Sequence, residues 1–453
     1  MIMKNCLASL AVGTACAVAC AEGSVPTLSD VTLSQAGAVV TISYTLSNGP
    51  AVITADILTN ALDAAQGVSI GAKNFWNLKG DVNRLVAEDG VHTITWRPHR
   101  SWPGHLIGDG SVRARLTAWE TNTPPPYMVV DLTKRENRYY ASEDALPGGL
   151  HENPEYKLTK VVLKRIEAAG KSAVLGDSSA EPGHSVSEYA YTVKFDSDYY
   201  IGVFEVTRGQ WAQFNPERSN GFNVESAFRP MSNVAYTHIR WNCRSENWGP
   251  NGTSADYPNP PNGYDSTTAD SFRYASFLGC CQTISGVAFD LPTAAQWEYA
   301  ARGGFGPGYW GDGTPICSTD SDANLDRLGR YAQNGGTVTE AFAENRDVAQ
   351  ENWTSANGTA VVGSYKPNGY GLYDMHGNVR EWVLDWWYDD PSSFAGVPPT
   401  EPMTTSRGCT VRGGSWNDEA KGCRPATRAC KYGLDQQKDI YTGLRLAAPC
   451  VAK

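Results

Sequence analysis

Asn368-Gly-Tyr-Gly-Leu-Tyr-Asp-Met-His-Gly-Asn-Val-Arg-Glu-Trp382 is the stretch around which the chain is organised. Val411-Arg-Gly-Gly-Ser-Trp416 follows it, and Gly443-Leu-Arg-Leu-Ala447 closes the pattern. Glycine recurs where a backbone takes positive φ or approaches another segment closely, and Trp or Tyr recurs where a large ring fills the space beside it. Together the three segments predict an irregular core, packed with aromatic rings, around a site.

A chain of 453 residues exceeds one ordinary core and predicts two domains with a linker. The formal net charge is -10, spread without a basic block, which argues against a nucleic-acid surface. The 45 Gly, 26 Pro and 14 Trp point to turn-rich structure in which rings replace long helices as core filler. At the N-terminus, Lys4 precedes the apolar, small-residue run Leu7 to Cys20, which has the length and chemistry of a signal peptide. Ala19-Cys-Ala21 fits a cleavage site that releases a chain starting at Glu22; lipidation at Cys20 is the competing reading, with Ala17 where a lipobox usually has Leu. No later apolar run reaches membrane-spanning length. The expectation is an exported, soluble protein. Cleavage leaves Cys243, Cys280, Cys281, Cys317, Cys409, Cys423, Cys430 and Cys450, all beyond residue 240, and export makes disulfides the default.

Residues 22–132 read as a β-sandwich of the immunoglobulin-like type. Val40, Ile42, Tyr44 and Leu46 share one strand face, Val112, Ala114, Leu116 and Ala118 share another, and His92 to Trp96 and Tyr127 to Leu132 add further strands. Residues 133–157 lose periodicity, gain charge and Pro/Gly, and read as a linker. The second domain spans 158–449. It holds a strand over Tyr199 to Val206, then a short helix with Thr207 and Gln210 as a capping box. A long polar loop from Ser245 to Asp270 leads to a helix over Asp270 to Cys281, with Phe272, Ala275 and Leu278 at helical spacing. The best-punctuated helix follows Leu291-Pro-Thr293: Thr293 caps it, Gln296 closes the box, Trp297, Ala300 and Ala301 form its buried stripe and Gly303 stops it.

With Tyr200-Ile-Gly-Val-Phe-Glu-Val-Thr207 and Leu291 to Gly304, the three opening segments occur in the order found in the formylglycine-generating (sulfatase-modifying factor) enzymes, and the second domain resembles that family. The resemblance implies an α+β, C-type-lectin-like fold with little regular secondary structure. It also implies an oxidase that converts a sulfatase cysteine to formylglycine, using two thiolates that hold Cu(I). The matching positions here are Asp418 and Cys423, so half of that soft-ligand pair is replaced by a hard carboxylate. Cys423 admits three readings: a half-cystine paired within the Cys409–Cys430 region, a reactive thiol with Asp418 as base or hard-metal ligand, or a differently threaded loop over Asn417 to Gly422. Ser415 matches the family's active-site serine.

The resemblance further implies a structural calcium held by Asp374, the carbonyls of Gly377 and Val379, and Glu381; a hard ion suits carboxylates and backbone oxygens on a tight turn. The family commonly has Asn at position 374 and Trp at 380, where this chain has Asp374 and Arg380. A second calcium site would use Asn324 and the Leu325 carbonyl. One of Cys280 and Cys281 is implied to bridge to Cys430. Two functions compete: an oxidase acting on an exported sulfatase, and a monomeric, calcium-stabilised binding module for a cell-surface protein or glycan. A non-haem iron branch of the family needs a His-x-x-x-His element that this chain does not contain.

Overall fold

The computed structural model describes residues 25–59, 67–105, 107, 112–177, 181–215, 226–240, 276–335, 358–390, 408–431 and 439–452. The N-terminal segment with Cys20 and Ala21, Cys243 and the polar loop from Ser245 to Asp270 lie outside the described residues.

Alternation builds the first unit. Strands β1 (Thr27–Ala36), β2 (Val39–Ser47), β3 (Ala51–Thr59), β4 (Val68–Ser69), β5 (Lys79–Gly80), β6 (Arg84–Val86), β7 (Gly90–Trp96) and β8 (Val112–Trp119) form two antiparallel sheets, with the single turn α1 (Pro98–Ser101) between the last two. One sheet runs β1-β2-β7-β5; the other runs β4-β3-β6, with β8 also pairing to β3. Val40, Ile42, Tyr44 and Leu46 are buried as their spacing requires, and meet Ile53, Ile57, Ile94 and Trp96 between the sheets.

The domain boundary differs from the expected one. Strand β9 (Tyr127–Asp131), expected as the last strand of the sandwich, lies in the sheet of the second unit. All five of its residues are buried, so it has no polar face to give to solvent and takes a central place with a partner on each side. Those partners are β10 (Glu136–Tyr140), which falls in the expected linker, and β11 (Lys160–Ile166). The single-turn helix α2 (Glu155–Leu158) also lies in that segment. The span 133–157 is therefore structured, and the change of unit falls between Trp119 and Tyr127.

The five-stranded sheet is completed by β14 (Tyr199–Gly202) and the C-terminal β19 (Ala447–Pro449), after the hairpin β12 (Ser172–Leu175) and β13 (Tyr191–Lys194). Helices α3 (Arg208–Ala212), α4 (Tyr236–Arg240), α5 (Phe277–Ser285) and α6 (Ala294–Ala301) are short. Both capping boxes form: Thr207 with Gln210, and Thr293 with Gln296. α5 starts after Ser276, which accepts from the Gly279 N–H, and ends at Gly286 in the left-handed region; Phe272 and Ala275 of the expected helix lie outside the described residues. The second sheet has the order β17 (Arg428–Lys431), β16 (Cys409–Arg412), β15 (Arg380–Trp386), β18 (Thr442–Leu444), with β15 and β18 parallel. It carries all three motif segments. Trp382 and Trp386 pack on Met128, Leu163 and Leu446, while Trp297 of α6 meets Met375 and Val383.

Candidate functional site around the glycine turn

Three successive choices of residue make the turn. Asp374, Gly377 and Asn378 all have positive φ, at 56°, 91° and 62°. A Cβ on Gly377 would stand 2.1 Å from the Arg330 carbonyl oxygen, so the close approach excludes every other residue. Asn378 tolerates the left-handed region and uses its amide on both sides, donating to Glu205 at 2.6 Å and accepting from the Ala360 N–H at 2.8 Å. The Gly377 N–H donates to the Gly413 carbonyl at 2.7 Å, and the Trp416 N–H to the Asn378 carbonyl at 2.9 Å. These bonds hold Gly413 to Ser415 beside the turn.

Beneath the turn lie three buried carboxylates, Glu205, Asp374 and Glu381, against the buried guanidinium of Arg445. Glu381 Oε1 accepts from Arg445 at 2.8 and 3.0 Å; Oε2 accepts from Trp297 Nε1 at 2.6 Å and from Arg445 at 3.1 Å. Its four acceptor positions are filled. Glu205 accepts from the Val379 N–H and from Asn378, and burial, followed by the charges of Asp374 and Glu381, pushes its pKa well above the carboxylate range. Asp374 accepts from the Gly363 N–H at 2.6 Å through one oxygen, while its buried Oδ1 has no partner. Burial pushes Asp374 up to about 6, against the pull of the Gly363 N–H and Arg445.

The donor set fits a calcium ion only in part. Asp374 Oδ1 is a buried orphan beside surplus negative charge, which suits a cation; Glu381 has no acceptor position to give one while Arg445 and Trp297 hold it. At the expected second site, the Leu325 carbonyl accepts from the N–H groups of Leu328 and Gly329, and Asn324 Oδ1 accepts from Arg327. Those oxygens are engaged within a turn of 3-10 helix over Leu325–Arg327.

The expected reactive half looks different again. Asp418 Oδ2 accepts from the Ser415 N–H at 2.8 Å and from Ser415 Oγ at 2.7 Å, and Oδ1 accepts from Arg380. The carboxylate closes the Ser415–Asp418 turn and neutralises the arginine that stands where the family usually has Trp. Ser415 is fully buried and spends its hydroxyl on that bond. Cys423 lies at the end of a 3-10 turn over Ala420–Cys423, buried with Trp310, Ile316, Leu325, Leu328 and Tyr331. A Cβ on Gly414 would meet its Sγ at 2.7 Å, so the glycine strand covers the sulfur. Burial first, and then the Asp418 charge, push the thiol well above its usual range, against a smaller pull from Arg380. A cleft of only about 100 Å³ remains here, lined by Arg380, Gly413, Gly414, Asp418 and Gly422 among others.

Cys280, Cys281, Cys317, Cys409, Cys423 and Cys450 are unbridged. The half-cystine reading of Cys423 and the bridge from Cys280 or Cys281 to Cys430 are thus corrected: both helix cysteines point into the apolar core with Phe277 and Leu278. Cu(I) does not fit what is present, since one of the two thiolate positions holds the hard carboxylate of Asp418, already in use, and the other a buried thiol.

His376 is buried and neutral: it accepts the Gly311 N–H on Nε2 at 3.1 Å, which leaves Nδ1 to donate to the Cys423 carbonyl at 3.0 Å. Burial holds its pKa down at about 4. Among the described residues Asp177, His184 and Glu188 come within reach of one cation, but both Glu188 oxygens are held by Arg424. Sequence reasoning missed Glu205, Arg445 and the Arg380–Asp418 pair. The available signal was a charged residue inside an otherwise apolar run, Glu205 in Val-Phe-Glu-Val and Arg445 in Gly-Leu-Arg-Leu, which a buried partner must balance.

The profile of the family described as Sulfatase-modifying factor enzyme 1-like domain matches residues 167–449. The formylglycine-generating enzyme of Thermomonospora curvata is 32% identical over 209 residues, 44% of this chain and 59% of that enzyme. The chaperone protein LppX of Paenibacillus barcinonensis is 31% identical over 224 residues, 49% of this chain and 70% of that protein. Among solved structures, PvdO from Pseudomonas aeruginosa aligns with a TM-score of 0.42 at 19% identity, covering 64% of this chain and 94% of that one.

Proposed function

Since the chain belongs to the sulfatase-modifying factor enzyme 1-like family, we propose that it is an exported member in which the family fold serves binding rather than cysteine oxidation. The observation that carries this reading is the state of the two positions where the enzymes have thiolates: Asp418 is committed to Ser415 and Arg380, and Cys423 is a buried, protonated thiol behind Gly414. Neither offers a ligand to Cu(I), and the cleft of about 100 Å³ beside Asp418 does not have Cys423 in its wall. A relative named as a chaperone protein, matched over 70% of its length, supports a member that acts by holding another molecule. Among the described residues no helix is long and apolar enough to cross a membrane. The proposal places the protein outside the cell as a monomer, its β-unit read as immunoglobulin-like and its second unit as C-type-lectin-like, facing a cell-surface protein or glycan. Calcium belongs to it at Asp374 and the turn carbonyls of Gly377 and Val379.

Cu(I) titration of the full chain, with a sulfatase-motif peptide assayed for aldehyde, tests the reading. Neither stoichiometric copper nor aldehyde is expected; aldehyde formation overturns it.

A further inference from the structure

Two cavities lie where the two units meet, apart from the cleft beside Asp418. One of about 430 Å³ and one of about 980 Å³ adjoin and share Trp76 and Gly148 in their walls. Both volumes are in the range of small-molecule sites, and domain junctions are a preferred place for them. The floor of the smaller cavity is one face of the five-stranded sheet. Glu136, Arg138 and Tyr140 alternate outward on β10, and Glu136 and Arg138 stand directly opposite Asp131 and Val129 of β9. The roof is the turn of the first unit that carries Trp76. Roof and floor are joined by Arg138 donating to the Val82 carbonyl at 3.2 Å and by the Tyr139 N–H donating to the Asn83 carbonyl at 2.8 Å.

Trp76 is 49% exposed, the one tryptophan among the exposed large apolar side chains of the described residues, although its neighbour Phe75 is buried. Its ring stands in the wall shared by both cavities with about half of its surface open, so an aromatic face is available there to a bound molecule. The polar wall is ordered in advance: Glu136 holds Lys134 at 2.6 Å and Arg138 at 2.6 Å, and Arg115 holds Asp56 at 2.7 Å between adjacent strands in the wall of the larger cavity. In the smaller cavity Asp131, Glu136 and Glu155 balance Lys134, Arg138 and Lys160, and in the larger one four carboxylates outnumber two cations. The junction therefore has no surplus positive charge for a sulfate, phosphate or carboxylate. An extended peptide would need the free edge of β10, where the Tyr139 N–H is already taken by Asn83.

We propose that this junction is a binding site for a neutral oligosaccharide, with Trp76 as the platform against which a sugar ring stacks its C–H face and the fixed ion-pair groups as partners for its hydroxyls. The site is built from both units, is separate from the family's cleft, and stands whether or not that cleft does chemistry.

Isothermal titration of the full chain with cellohexaose, maltohexaose and chitohexaose tests it. Saturable binding of at least one is expected, weakened about tenfold or more by Trp76→Ala and largely retained by Trp76→Tyr, which keeps a ring. Near-ultraviolet circular dichroism of both variants checks that the fold is unchanged, as expected for a half-exposed side chain. Absence of binding by all three sugars overturns the proposal, as does wild-type affinity in Trp76→Ala, or binding of a sulfated hexasaccharide or an extended peptide in place of the neutral sugars.

Discussion

The guanidinium of Arg380 is paired with the carboxylate of Asp418, which also closes the turn at Ser415. Two departures from the family pattern, a charged residue at the usual Trp position and a carboxylate at a usual thiolate position, thus face and neutralise each other. Their side chains are 23% and 21% exposed, so the pair is screened by water and its coupling is modest. A double-mutant cycle of Arg380→Met and Asp418→Ala, read by urea denaturation, is expected to give a coupling of about 0.3 to 1 kcal/mol. Asp418→Ala alone is expected to cost more, about 1 to 3 kcal/mol, because the Ser415 N–H and hydroxyl lose their acceptor. A coupling of zero would show that the two groups act independently.

Thiol reactivity separates the cysteines by burial. Cys317 is exposed, whereas Cys423 is fully buried with its thiol pushed up. Alkylation at neutral pH followed by peptide mass mapping is expected to label Cys317 in the native protein and Cys423 only after denaturation. Rapid native labelling of Cys423 would restore it as a reactive group.

The acid side of the stability profile has a definite sign. Burial raises Asp385 and Asp374 from 3.8 to about 6. The folded state therefore binds more protons than the unfolded state between pH 4 and 6, and these groups stabilise fully below that window and lose their contribution as pH rises through it. Asp385→Asn keeps an acceptor for the Ala294 N–H, to which Asp385 now bonds, and removes the titration. It is expected to flatten the fall across this window by up to about 1.4 kcal/mol per pH unit. An unaltered slope in pH-dependent denaturation would mean that Asp385 titrates normally.

Arg445 pairs with Glu381 from a fully buried position and also donates to the carbonyls of Gly202, Val203 and Tyr373. Arg445→Met is expected to lower stability by about 3 to 5 kcal/mol, since it strands Glu381 in the core. Denaturant titration of the variant measures this, and a loss below about 1 kcal/mol would mean that the Arg445–Glu381 pair does not hold this part of the core together.

Calcium is expected to raise the melting temperature of chelator-treated protein through Asp374, with a gain of about 2.7 kcal/mol at roughly one hundred times its dissociation constant. Asp374→Ala is expected to abolish the shift. No shift in the wild type would remove calcium from the functional reading.

The local signals were strong where one residue's backbone or one period decides the outcome. The two capping boxes, the buried stripe of α6 and the alternation of β2 all follow from neighbours in the chain, as does a turn that only Gly377 can make. The ordered motif segments were also enough to point to the family, whose profile matches residues 167–449. What the sequence alone did not determine rests on contacts between distant segments. Period two predicts a strand but not its sheet, and it is the pairing with β10 and β11 that puts β9 in the second unit. A charge in an apolar run says that a partner exists but not which, and Glu381 is claimed by Arg445, 64 residues away in the chain. Cysteine count and export suggested bridges, while the packing of Cys423 against Gly414 and the Trp310 cluster left its sulfur single and covered. Chain neighbours determine backbone geometry; only the folded chain decides which buried charge or thiol is satisfied, and by what.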